Sequence, residues 1–144
     1  MQIGVELSKA VQNRRIFVVD DDEIFRAALQ FMLHDDYETH EIGSVDAALA
    51  KAKEWRPDLL LVAESIVRAH GTVLLARFRE EIPGVKILVI VEAAADGFGK
   101  ECIVAGADGV IAKPLKIEFV RQKVDALFGS GKAVTIPLSV LTTR

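Results

Sequence analysis

Three short stretches fix most of what this chain can fold into: IFVV at 16–19, LLLVA at 59–63 and KILVIV at 86–91. Each is a continuous apolar run, the last led by Lys86, rather than an alternating one, the pattern of strands buried on both faces of a parallel sheet. YETHEI at 37–42 alternates and suits an edge-side strand, and GVIA at 109–112 follows the turn-forming GAD. Helical patterns separate all five. Strand and helix alternating in this way predict a doubly wound α/β sandwich, a five-stranded parallel sheet with right-handed crossovers and helices on both faces.

The helical segments carry their own punctuation. Between Glu23 and His34, Ile24, Phe25, Ala28, Leu29, Met32 and Leu33 fall on one face. Ser44 is a good N-cap for a helix bearing Ala48, Leu49, Ala52 and Trp55, which Pro57 stops. Trp55 and Cys102 are expected in the core. Gly71 to Glu81 gives a third helix, ending near Pro83 and Gly84. The fourth, in ADGFGKECIV, holds Gly97 and Gly99, each costing on the order of 1 kcal/mol in a helix interior, so it is expected to begin late. Ile117, Val120, Val124 and Leu127 make the last, with Gly129 just past it.

Composition narrows the function classes. A length of 144 residues suits one domain, and 18 Lys+Arg against 21 Asp+Glu leaves no basic run to neutralise phosphates, so nucleic acid is not an expected partner. Cys102 is the only cysteine, which excludes an internal disulfide. No apolar run approaches the roughly 20 residues that span a bilayer. MQIGVELSKAVQNRR lacks a signal peptide's layout. The expected setting is cytoplasmic and away from the membrane. His34, His40 and His70 are scattered and suit surface or helix-end positions rather than metal ligation.

In such a sheet, ligand chemistry belongs at the carboxyl ends of the strands. Strand one ends in Asp20, Asp21, Asp22 and Glu23, strand three in Ala63 and Glu64, strand four in Val91 and Glu92, and strand five in Lys113 and Pro114. Asp22 and Glu23 are explained by a helix start. Asp20 and Asp21 are not, and two adjacent carboxylates repel unless a cation sits between them. Lys113 is the candidate cation.

FVVDDDE, PDLLLV followed by Gly71, and AGADGVIAKP together resemble a response-regulator receiver domain over roughly residues 14–128. Spacings of 43 from Asp20 to Ala63, 28 from Ala63 to Val91 and 50 from Ala63 to Lys113 match that family. The resemblance implies a flavodoxin-like sheet of order 2-1-3-4-5 and a place in two-component phosphorelay signalling. It also implies that Asp20 and Asp21 are the acidic pair, that Lys113 is the phosphoryl-contacting lysine, and that the Lys113–Pro114 bond is cis.

The same resemblance exposes departures. Ala63 stands at the phosphoacceptor position, Val91 where a Ser/Thr hydroxyl follows the phosphoryl group, and Val110 where an aromatic ring swings. A methyl group has no lone pair with which to attack phosphorus. Side chains alternate along a strand, so Glu64 is expected to point to a different side from Ala63. Asp20, Asp21 and Lys113 sum to −1, so Mg²⁺ binding at Asp20 and Asp21 is expected to be weak or absent, with Lys113 closing on the pair. No other cofactor is expected.

The expectation is therefore a non-enzymatic receiver-like module acting by phosphorylation-independent protein–protein contact. Its surface, as the resemblance implies, would be the fourth helix, fifth strand and last helix, where Val110 is more simply read as core. The alternative is a small Mg²⁺-dependent phosphohydrolase of the haloacid dehalogenase kind using Asp20 and Asp22, though no later acidic pair or cap is evident. A flavin or nucleotide carrier fails because three aspartates stand where a phosphate loop needs glycines and backbone N–H groups. Residues 1–13 and 129–144 lie outside the core. Ile3, Val5 and Leu7, and Val134, Ile136, Leu138 and Val140, alternate and are expected to form extra strands, pairing together or with a second subunit; either these or the helical face would make a homodimer.

Overall fold

The computed structural model describes residues 14–129. The terminal strands expected around Ile3, Val5 and Leu7 and around Val134, Ile136, Leu138 and Val140 lie outside the described residues. Five strands form one parallel sheet in the order β2-β1-β3-β4-β5, with β1 Arg15–Val19, β2 Glu38–Ile42, β3 Leu59–Ala63, β4 Lys86–Val91 and β5 Gly109–Ala112. Apart from the exposed Lys86, the continuous runs are buried, every residue of β3 among them. The alternating β2 is at an edge. Among the described residues five helices lie between the strands, α1 Glu23–Leu33, α2 Val45–Glu54, α3 Glu64–His70, α4 Val73–Glu81 and α5 Phe98–Val104, and a sixth, α6 Ile117–Leu127, follows β5. The chain divides after Pro114 into two compact units, the first carrying the sheet with α1 to α5 and the second carrying α6.

Within the first unit the core follows strand parity. Phe17, Val19, Leu60, Val62, Ile87 and Val89 pack in one cluster with buried side chains of α2 to α5. Ile16, Val18, Leu59 and Leu61, also fully buried, have the other parity, and α1 packs on β1 and β2. Fully burying one such side chain stabilises by about 1.5–3 kcal/mol, so these alternating sets fix which face each strand shows to which helix.

Local chemistry sets the boundaries. Asp22 caps α1, accepting from the N–H groups of Ile24 and Phe25, and Ser44 caps α2 by accepting from Ala47. At the opposite edge of the sheet from the crest, Asp58 accepts the Arg15 N–H and Asp108 accepts the Ile87 N–H, each at 2.8 Å. These carboxylates satisfy strand amides where the ladder begins. The fourth expected helix does begin late: α5 starts at Phe98, after Gly97 takes a left-handed φ of 84°.

Three expectations are corrected. The helix expected from Gly71 to Glu81 is preceded by another, because β3 passes directly into α3 at Glu64 and Gly71, at φ 87°, separates α3 from α4. Trp55 is not core but 48% exposed, the C-cap of α2, with the Arg15 guanidinium 5.2 Å from its ring centroid. Ile24 is 78% exposed, since the first turn of α1 stands clear of the sheet. Cys102 is fully buried.

Candidate functional site

The carboxyl ends of β1, β3, β4 and β5 bring the singled-out residues to one crest of the sheet. β1 and β3 are neighbours although β2 and its helices lie between them in sequence. Their ends flank the point where strand order reverses, the position at which such sheets bind ligands.

Asp20 leaves β1 almost wholly buried, 4% exposed. Its Oδ1 accepts the Asp22 N–H at 2.8 Å, and its backbone carbonyl accepts Arg26 Nη1 at 2.8 Å. Burial pushes its pKa up; the Asp22 N–H bond and the Lys113 charge act against that, while the charges of Asp21 and Asp22 add to it. Asp21 is exposed, and its Oδ1 accepts the Ser65 hydroxyl at 3.0 Å. Asp22 is committed to capping α1.

Ala63, the last residue of β3, is 7% exposed. Glu64 is buried at 6% exposure, with Oε1 accepting the Glu92 N–H at 2.8 Å and Oε2 accepting Arg68 Nε at 2.6 Å. Strand alternation did not foresee this. It stops applying at Ala63, because Glu64 is already the first residue of a helix, and its long side chain reaches the amide just beyond β4.

Val91 ends β4 fully buried, its carbonyl accepting the Lys113 N–H at 2.9 Å. Val110 in β5 is half-buried against the core, its Cγ1 lying 3.2 Å from where a Cβ on Gly99 would stand. The Lys113–Pro114 peptide is cis.

Lys113 does not close on the acidic pair. Its Nζ pairs with Glu92 Oε2 at 2.8 Å and lies 3.4 Å from the centroid of the Phe25 ring. The physical reason lies in partner availability. Asp20 is buried and already hydrogen-bonded, whereas the exposed Glu92 offers a carboxylate at the end of the neighbouring strand. Lys113 acts on Asp20 through its field. Among the described residues, no three or more His, Cys, Asp or Glu side chains converge as a metal-ligating group. Asp20 and Asp21 supply two carboxylates, with a methyl group, Ala63, at the end of the adjacent strand. Sequence reasoning missed the Glu64–Arg68 pair, whose i,i+4 spacing on a helix was the available signal.

A parallel sheet of this order, with an acidic pair and a lysine at its switch point, defines a CheY-like α/β signalling module. The response regulator receiver domain family matches residues 16–125, and the chain belongs to that family. Such domains serve two-component signalling.

The chain is 29% identical over 124 residues to the DNA-binding transcriptional activator DevR/DosR of Mycobacterium tuberculosis, covering 83% of this chain and 56% of that protein. It is 32% identical over 113 residues to protein-glutamate methylesterase/protein-glutamine glutaminase 1 of Methanospirillum hungatei, covering 75% of this chain and 33% of that protein. The chain thus spans about half or less of these curated relatives' length. Among solved structures, a response regulator from Thermotoga maritima superposes with a TM-score of 0.74 at 23% identity, over 82% of this chain and 99% of that one. A CheY-like receiver domain protein from Methanospirillum hungatei gives 0.71 at 25% identity, over 81% and 94% of the two chains. No helix among the described residues is long and apolar enough to cross a membrane.

Proposed function

We propose that this receiver domain carries no phosphoryl group at the usual position and signals by protein–protein contact, without enzymatic activity of its own. The observation behind this reading is Ala63, a buried methyl at the end of β3, next to the strand that delivers Asp20. Aspartyl phosphorylation needs a carboxylate oxygen as nucleophile, and none is attached there. Two further features support it. Val91 offers no hydroxyl to follow a phosphoryl group, and Lys113 is engaged with Glu92. A ligand shifts a conformational equilibrium only through different contacts in two states, and these contacts have been removed or reassigned.

The phosphohydrolase alternative loses its second acid, because Asp22 is spent on the N-terminal amides of α1. For the contact surface, α5 is favoured, since Ile103 and Val104 of that helix are 46% and 87% exposed.

The deciding experiment is incubation of the full chain with acetyl phosphate and with a phosphorylated histidine donor, followed by intact-mass measurement. No added phosphoryl mass is expected. A stoichiometric, hydroxylamine-labile adduct would refute the proposal.

A further inference from the structure

Asp20 and Glu64 are the charged residues buried among the described residues. The receiver pattern accounts for Asp20 but gives no role to Glu64. Both oxygens of Glu64 are used: one accepts the Glu92 N–H at 2.8 Å, the other Arg68 Nε at 2.6 Å. Arg68 in turn lies 4.0 Å from the centroid of the Phe98 ring, at the first residue of α5, and its Nη2 is 3.8 Å from Asp96 Oδ2. Asp96 accepts the Phe98 N–H at 3.0 Å. The side chain of Glu92 holds Lys113 at 2.8 Å. One continuous set of contacts therefore runs from the start of α3, through the first residue beyond β4, to the start of α5 and the end of β5.

We propose that Glu64 and Arg68 form a built-in latch, in which a carboxylate supplied by the chain itself holds the Glu92 amide and the start of α5 in one arrangement. This rests on reading Ala63 as free of phosphate: where receivers attach a phosphoryl group reversibly, this chain carries a carboxyl group of its own on the next residue. Charge-assisted bonds of this length are stronger than neutral ones. A buried carboxylate that lost either partner would be left uncompensated, which favours the closed arrangement. Arg68 shows the same coupling, its proton held more tightly chiefly by the hydrogen bond to Glu64. Glu64 is thus a positioning residue, acting through Glu92 and Arg68.

An i,i+4 pair that merely supported its own helix would leave Glu92 untouched, and this separates the two roles. The test is residue-resolved amide exchange by NMR on the full chain and on Glu64→Leu and Arg68→Gln variants. In Glu64→Leu, protection at Glu92 and Phe98 is expected to fall by about tenfold or more while Val18 and Leu61 keep theirs. Arg68→Gln should show the same local pattern at smaller amplitude, and Arg68→Lys should restore part of it. Parent-like protection at Glu92 in both variants would overturn the latch, as would a loss spread evenly over the sheet. Should Glu64→Leu fail to fold, Arg68→Gln at its half-exposed position decides alone. A phosphoryl adduct on the parent would instead remove the proposed function while leaving the exchange pattern as measured.

Discussion

Restoring the missing carboxylate, by Ala63→Asp, should destabilise the domain rather than repair it. Val19 pairs with Val62 across β1 and β3, so Asp20 and residue 63 occupy the next rung. Neighbouring strands lie about 5 Å apart. Two carboxylates at about 5–6 Å, with an effective dielectric constant near 20, repel by about 3 kcal/mol. Both positions are buried, at 4% and 7% exposure, and the cation that could offset the repulsion is paired with Glu92 at 2.8 Å. Adding desolvation brings the expected loss to about 3–5 kcal/mol at neutral pH without metal. Urea unfolding in chelator-treated buffer measures it. With three carboxylates at one crest, the variant also acquires an oxygen set suited to Mg²⁺, so about 10 mM Mg²⁺ should recover part of the loss by mass action while leaving the parent unchanged. A loss under about 1 kcal/mol, or equal stabilisation of parent and variant by Mg²⁺, would show that the crest is not the crowded, cation-poor site described here.

Two further outcomes follow from the same acidic run. Because burial raises the pKa of Asp20, the folded state holds its proton more tightly than the unfolded state, and ionisation at neutral pH costs stability. The stabilisation that the protonated carboxyl supplies is fully present below the unfolded pKa and is lost as pH rises through the raised folded pKa. Asp20→Asn keeps an oxygen for the Asp22 N–H, so it should be more stable than the parent at pH 7, with the gap closing on acidification; a gap constant from neutral to acid pH would contradict this. Asp22→Ala removes the N-cap of α1 and should cost about 0.5–2 kcal/mol in denaturant unfolding, and a variant as stable as the parent would mean that the cap bonds carry no weight.

The sheet was legible because its signal is strong and local. Runs such as LLLVA have no face to give to water, and their order along the chain leaves few topologies. Gly97 likewise announced the late start of α5. What escaped were features that depend on where one element stops. Nothing in LLLVAES marks the passage from strand to helix at Ala63, so alternation was carried one residue too far and the partners of Glu64 were not foreseen. Trp55 satisfies a helical stripe on paper, but it sits at the C-cap, where the chain has already turned, and an arginine covers it instead of the core. Lys113 was placed at the crest by its spacing, yet its choice between Asp20 and Glu92 depends on which carboxylate is buried and already bonded. That is a property of three dimensions.

The two rims of the sheet are unlike its interior. At one, β2 places Glu38 against Arg15 and His40, each at 2.6 Å, and Glu41 against Arg26 at 3.4 Å; at the other, β5 offers only the four residues Gly109–Ala112. A foreign strand seeking to add itself would have to dislodge paired charges on the first side and would find little ladder on the second. Growth of the sheet from molecule to molecule is thereby discouraged.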